Sequence, residues 1–257
     1  MIAEQWMLTA GAAIFVVTII AIRFHLSRPV PWIASAGCAA VLFALLFRLM
    51  GAGRVPWASL YESAALLALI LGIATLLSVL KEMPRPMCYF LAMAASAFAA
   101  FSALAWETPA ALPVSLQSEW LLIHVPIAIA SYGLFVCSAA ASAAYLYYTV
   151  KRPSESAKTA RLDRLSTTCI TAGLLLLAVA IIMGSLWAKA AWGSYWSWDP
   201  KETWSLITAV IYTLYLGLRQ IGMKGEEAAY VSLVGFLCVI FTYLGVSYII
   251  PGLHSYA

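Results

Sequence analysis

The chain has 257 residues, of which 64% are apolar and only 10% are charged, and its formal net charge at pH 7 is +4. A typical soluble domain carries about 25% charged residues, so this composition argues against an ordinary soluble domain. The small excess of basic residues is explained by membrane topology rather than by nucleic-acid binding. We therefore expect an all-α, polytopic integral membrane protein that forms a single domain over residues 1–257.

Eight segments are free of Lys, Arg, Asp and Glu over at least about 16 residues, a length that suits membrane-spanning helices. The predicted spans are residues 6–22, 32–50, 62–80, 87–106, 120–150, 165–188, 203–219 and 228–250. Glu4 precedes the first span and Arg23 follows it, which is the wrong charge order for a cleaved signal peptide. We therefore interpret the first segment as a permanent span.

The basic residues are distributed unevenly between the two sides of this predicted topology. Of the 15 lysine and arginine residues, eleven fall on one side and four on the other, namely Arg48, Arg54, Lys189 and Lys201. Because the more basic side is cytoplasmic, both termini are expected outside. We expect a bacterial inner membrane or, alternatively, a thylakoid membrane.

The five cysteines all fall inside predicted spans, and no two of them are spaced as Cys-x-x-Cys. This pattern argues against a thiol–disulfide carrier and favours small packing residues. No ionisable residue lies at the middle of a span, which argues against an ion-coupled transporter.

Residues 187–204, which we call the tryptophan-rich segment, contain five of the ten tryptophans between predicted spans six and seven. Asp199, Pro200 and Glu202 have the pattern of a helix start with a capping box, and we expect them to begin span seven. On a helix, Trp192, Tyr195, Trp196 and Asp199 would share one face. A broad aromatic face suits a large planar ligand. The alternative is a re-entrant segment that merely lies among lipid headgroups.

The sequence contains three histidines, His25, His124 and His254. The predicted topology places His124 and His254 on the outer side, together with the tryptophan-rich segment. A lone histidine near an interface is more often packed or snorkelling, but imidazoles also serve as axial ligands of haem iron. Lys189 and Lys201 can meet haem propionates, although interfacial anchoring explains both equally well.

Residues 192–204 read Trp-Gly-Ser-Tyr-Trp-Ser-Trp-Asp-Pro-Lys-Glu-Thr-Trp. This sequence resembles the WWD signature of the haem-handling proteins of cytochrome c biogenesis, most closely the CcsA/ResC family of System II. Supporting stretches are residues 56–63, 116–125 and 252–256, in the order of the family. The resemblance covers most of the chain from about residue 48 onward.

The resemblance implies that haem b is delivered to the outer face for covalent attachment to an apocytochrome c with a Cys-x-x-Cys-His motif. It implies His124 and His254 as axial ligands of the haem iron, and no catalytic side chain is assigned. It also implies a CcsB/ResB-type membrane partner, with this chain as one subunit of a cytochrome c haem lyase. The residues implied in haem binding are Trp187, Trp192, Tyr195, Trp196, Trp198 and Asp199.

Gly217 stands where similar proteins often have the histidine of an inward haem site, so His25 is considered as a substitute ligand, with snorkelling as the simpler explanation. One alternative function is a haem exporter or haem chaperone without lyase activity. Another is a membrane scaffold that regulates tetrapyrrole synthesis, which has no need of two external histidines. A quinol-oxidising b-type cytochrome is disfavoured because no span carries a histidine pair.

Overall fold

A computed structural model describes residues 2–108, 113, 116–250 and 252, and this part of the chain is helical, without strands. The helices are α1 Ile2–Arg23, α2 Val30–Ala52, α3 Leu60–Leu80, α4 Arg85–Leu104, α5 Glu119–Lys151, α6 Ser156–Trp192, α7 Pro200–Gln220, α8 Gly225–Ile240 and α9 Val246–Ile249, with a π-helical segment, Phe241–Gly245, between the last two.

Within the described residues, seven helices are long and apolar enough to cross a membrane, with the last of them running from Gly225 to Ile249. The prediction of an all-α, multi-pass membrane protein is confirmed, and the predicted count of eight spans is close. The 21-residue α7 coincides with the predicted seventh span but is not among the seven.

The structure divides into two compact units, Met1–Leu112 and Pro113–Ala257. In the first unit, α1 packs against α2 and α4, and α3 packs against the same two helices. The buried ring of Phe15 occupies space left open by two glycines: a Cβ added at Gly37 would lie 2.9 Å from this ring, and one added at Gly72 would lie 2.5 Å from it. Small residues therefore allow close helix packing here. That the whole chain is one integral domain stays a prediction.

One end of the first unit holds a buried network of ion pairs. The Glu62 carboxylate, which is fully buried, lies 2.7 Å from Arg48 Nε and 2.9 Å from Arg54 NH1. Glu4 is also buried and accepts a hydrogen bond from Trp106 Nε1 at 3.0 Å. Arg48 NH1 also lies 3.9 Å from Glu4 Oε2, and because Glu4, Arg48 and Glu62 belong to the ends of α1, α2 and α3, the network links these three helices.

The second unit is built on the long helices α5 and α6, with α8 packed on α5 and α7 packed on α8. Its core includes a stacked pair, Phe135 and Tyr212, whose ring centroids are 4.0 Å apart. Ser138 of α5 shares hydrogen bonds of 2.9 Å with Ser166 of α6 and 2.8 Å with Ser232 of α8. Inside a membrane, apolar surface packs equally well against lipid, so buried hydroxyl pairs of this kind help to hold the helices together.

Two features of the second unit differ from the sequence prediction. The predicted inner loop after span five is largely helix, because α6 begins at Ser156. Its first turns are rich in Ala, Lys, Arg and Leu, which favour helix even where the sequence is too polar to lie in a membrane. The π-helical segment within the last span was not predicted.

Candidate functional site

The tryptophan-rich segment begins as helix and continues as an irregular loop. The last residue of α6 is Trp192, and Gly193 follows in the left-handed region with φ of 82°. Glycine adopts this conformation at little cost and commonly ends helices. The prediction that Trp192, Tyr195, Trp196 and Asp199 share one helical face is therefore wrong.

The start of α7 holds this loop in place. Asp199 is the N-cap and forms the predicted capping box with Glu202, which is confirmed. In this box Glu202 Oε2 accepts from the backbone N–H of Asp199 at 3.1 Å, and it also accepts from the backbone N–H of Ser197 at 2.8 Å. Glu202 thus fixes the backbone of the loop as well as the end of the helix.

The aromatic side chains of the segment have different exposures. Tyr195 is 56% exposed and Trp198 is 69% exposed, so their rings are accessible, whereas Trp187 is buried. Trp196 is half-buried and meets Trp198 edge-on, with ring centroids 5.8 Å apart. Lys189 Nζ lies 5.4 Å from the centre of the Tyr195 ring. The loop therefore offers accessible aromatic rings with a lysine ammonium beside them.

His124 of α5 lies against α6, close to the tryptophan-rich segment. Its Nδ1 is 2.8 Å from the carbonyl oxygen of Ala180. Its ring stacks on the buried indole of Trp187, with centroids 6.3 Å apart and an interplanar angle of 20°. Trp187 in turn meets Trp192 edge-on at 4.7 Å. The structure thus brings one predicted iron ligand together with two of the predicted haem-contacting tryptophans.

A cavity of about 90 Å³ lies beside His124, and its polar lining includes Lys201, Glu202, Ser205 and Thr242. Burial lowers the pKa of Lys201 to about 8, and the nearby Asp199 carboxylate opposes that shift. Pockets for drug-sized ligands measure about 300–1,000 Å³. The cavity is therefore too small for a macrocycle, which would have to lie on the exposed rings instead.

His254 lies outside the described residues, but Gly252 is described. A Cβ added at Gly252 would lie 2.5 Å from Asp199 Oδ2 and 3.0 Å from Pro200 Cδ. The backbone two residues before His254 is therefore packed on the start of α7, at the end of the tryptophan-rich segment. The assignment of His254 as an axial ligand stays a prediction.

His25 belongs to the first unit and follows α1 with φ of 60°. Its side chain is exposed, and Arg85 NH1 lies 3.0 Å from its Nε2 and also contacts its Nδ1. A guanidinium is always charged and can only donate, so it occupies a lone pair that a metal would need. The suggestion of His25 as a ligand stays a prediction.

Comparison with known proteins identifies the family of this sequence. The sequence model of the family described as Cytochrome C assembly protein matches residues 57–254. The chain belongs to this family. The match includes the tryptophan-rich segment, His124 and His254, and it begins after His25, Glu4, Arg48 and Arg54.

Its curated relatives include proteins named cytochrome c biogenesis protein CcsA. The Chlamydomonas reinhardtii relative is 40% identical over 82% of this chain and 64% of its own length. The relative from Synechococcus strain RCC307 is 34% identical over 91% of this chain and 86% of its own length. The chain thus spans slightly less than two thirds of the algal relative. The predicted membership of the CcsA family is confirmed.

A solved structure named cytochrome c heme lyase CcmF shares the fold, with a TM-score of 0.63 at 16% identity. The match covers 94% of this chain and 48% of that structure's chain. At this identity the likeness concerns the fold alone.

Sequence reasoning missed Ala180 and Gly184, and it did not pair Trp187 with His124. Ala180, Gly184 and Trp187 are spaced i, i+4 and i+7 on α6, so they lie on one helix face. A glycine one turn before a tryptophan at the end of a span is a visible signal. Its partner across the helix pair, however, cannot be identified without the packing of α5 on α6.

Proposed function

We propose that this membrane protein binds haem b on the outer face of its membrane and presents it for covalent attachment to apocytochrome c, as the haem-handling subunit of a cytochrome c haem lyase. Membership of the cytochrome c assembly family gives the chain a role in cytochrome c biogenesis. The finer statement rests on the arrangement around His124.

The observation that carries the proposal is the hydrogen bond from His124 to the Ala180 carbonyl. Histidines that bind metal almost always donate their second ring N–H to a carbonyl or carboxylate, which fixes the ring and makes the other nitrogen more basic. Because a carbonyl oxygen can only accept, the proton of a neutral His124 must be on Nδ1. The lone pair is then on Nε2, which is the donor that haem iron requires.

The tryptophan-rich segment fits the rest of the ligand. Exposed rings at Tyr195 and Trp198 provide flat apolar surface, and the ammonium of Lys189 supplies a cation for a propionate. His254 is the proposed second axial ligand, because the resemblance implies it and Gly252, just before it in sequence, lies against Asp199. Haem when bound supplies the vinyl groups to which the apocytochrome thiols become attached.

In this proposal, the binding and orientation of haem belong to this chain. A separate membrane partner of the CcsB/ResB type is part of the proposal, because the resemblance to the CcsA/ResC family implies one. The second candidate is a haem exporter or chaperone that delivers haem without attaching it, because the arrangement around His124 accounts for holding haem and not for its attachment.

The test is co-expression of the chain with its CcsB/ResB-type partner and a reporter that contains Cys-x-x-Cys-His. We expect covalent haem on the reporter and a low-spin Soret band in the purified complex. Both signals should weaken in His124→Ala and in His254→Ala, whereas the control variant Glu227→Ala, at an exposed position in the first turn of α8, should retain them.

The outcomes separate the candidates. A Soret band that depends on both external histidines, without covalent haem on the reporter, would favour the chaperone. A spectrum indifferent to both substitutions would refute the external site.

A further inference from the structure

The imidazole of His124 is held by three features of one face of α6. Ala180 provides the carbonyl that accepts from Nδ1, Gly184 lies under the ring, and Trp187 stacks beside it. These three residues are spaced i, i+4 and i+7, so they form a continuous stripe along the helix. Each of them makes a different contact with the same ring.

Gly184 is required by sterics. A Cβ at this position would lie 2.8 Å from Cε1 of His124 and 3.0 Å from Nδ1. Real Cβ atoms essentially never approach another heavy atom within 3.0 Å, so even alanine must displace the ring. The indole of Trp187, which is itself only 2% exposed, stacks beside the ring, so a displaced imidazole would also lose this arrangement.

The position of the glycine also explains how a helix carbonyl can accept a side-chain donor. Within α6, the carbonyl of Ala180 accepts the backbone N–H of residue 184, four positions later. A carbonyl oxygen has two lone pairs, so it can accept a second donor if the adjacent surface is open. The side chain of residue 184 would cover that surface, and glycine leaves it accessible to the imidazole.

We propose that the stripe Ala180, Gly184 and Trp187 is a positioning site that holds His124 as the Nδ1–H tautomer and presents Nε2 as the iron-binding nitrogen. The assignment of Nε2 to iron rests on the function proposed above, whereas the tautomer is a property of the chain alone. None of the three stripe residues needs to touch haem, and Trp187 acts through His124 rather than as part of the haem surface.

The tautomer can be measured directly, because the whole sequence contains three histidines. Solid-state NMR of protein labelled with 15N-histidine in lipid bilayers distinguishes the protonated from the unprotonated ring nitrogen. The His124 signals are identified by their loss in His124→Gln. We expect the Nδ1–H form in the wild type, and an Nε2–H form in that protein would overturn the proposal without any variant being needed.

Gly184→Ala tests whether the His124 ring needs the space that this glycine leaves open. Gly217→Ala is the matched control, since a Cβ at Gly217 would have nothing within 4 Å. We expect Gly184→Ala to change the tautomer signals of His124 and the control to leave them unchanged. Titration of the same proteins with haem should show an affinity about 10- to 100-fold weaker for Gly184→Ala, the usual effect of removing a partner of a ligating histidine.

The two readouts separate failure of this inference from failure of the proposed function. If the wild type has the Nδ1–H tautomer but no haem binds, the haem site is wrong and the positioning of His124 stands. If haem binds and Gly184→Ala leaves both the tautomer and the affinity unchanged, the positioning site is refuted and the haem site stands.

Discussion

Replacing Glu202 by alanine tests how the tryptophan-rich segment is held. The substitution removes the acceptor of two backbone N–H groups, at Asp199 and at Ser197. Asp199 is buried, so leaving its N–H without an acceptor costs about 1–3 kcal/mol of stability. Ser197 is exposed, so its N–H can bond to water instead. The cost there is only the net value of one hydrogen bond, about 0.5–1.5 kcal/mol.

Together these losses amount to about 1.5–4.5 kcal/mol of local stability in the loop. Since each 1.4 kcal/mol corresponds to a factor of ten, amide exchange at Ser197 and Asp199 should accelerate by about ten-fold to a thousand-fold. Hydrogen–deuterium exchange read by mass spectrometry on peptides of residues 194–204 measures this directly. Glu202→Gln, which keeps one acceptor oxygen, should give a smaller acceleration.

The control is Glu227→Ala, which removes an exposed glutamate from the first turn of α8. This substitution should change amide exchange only within α8. Unchanged exchange in residues 194–204 of Glu202→Ala would mean that the loop is fixed by something other than this carboxylate, and the reasoning would be refuted.

Three further substitutions have distinct expected effects. Arg48→Met should destabilise the protein towards denaturant in detergent by about 3–5 kcal/mol, the range for breaking a buried ion pair, because a second arginine still neutralises Glu62 but the buried Glu4 loses the cation 3.9 Å away. Gly252→Ala should weaken haem binding without changing the helical circular dichroism, because its Cβ would lie 2.5 Å from Asp199 Oδ2. The stability of the wild type relative to Lys201→Met should rise with pH between about 8 and 10.5, by at most about 1.4 kcal/mol per pH unit.

The sign of the pH effect follows from burial of the lysine. Below pH 8 both states carry the charged ammonium, and the folded state bears the full cost of burying it. Between the folded pKa of about 8 and the ordinary value of 10.5, the unfolded state binds more protons, so stability rises with pH. A flat or falling difference over that range would contradict the assignment.

Arg28→Met and Gly217→Ala serve as controls for the first two of these substitutions. Arg28 is exposed, so its loss should leave the denaturation midpoint unchanged within error. Gly217 has open space around its Cα, so alanine there should leave haem binding intact. A loss of stability in Arg28→Met as large as in Arg48→Met would show that charge number, rather than the buried pair, is responsible.

Much of the fold could be predicted because its signals are local. Apolar segments of spanning length predicted the helices, and Asp199 with Pro200 and Glu202 predicted the start of α7, since a cap depends only on neighbours in sequence. The predicted aromatic face is wrong for an equally local reason. Gly193 ends α6, so a helical spacing has no meaning beyond it.

The contacts that carry the candidate site are not local, and the sequence could not reveal them. The hydrogen bond of His124 joins residues 56 positions apart, and the pairing of Arg48 with Glu62 depends on how two helix ends meet. Charges at the ends of spans are equally consistent with exposure to water, so burial of Glu62 could be found only from the packing.

The π-helical segment Phe241–Gly245 sets the direction in which the chain leaves the last span. Thr242 within it donates to the Cys238 carbonyl at 2.7 Å and lies 3.4 Å from the Thr208 hydroxyl of α7. One extra residue in a helical turn advances everything after it by about 100° around the axis. The wide π turn absorbs one such residue, so if Phe241–Gly245 became regular α-helix with every residue kept, the chain beyond it would be out of phase and Gly252 would be swung away from Asp199.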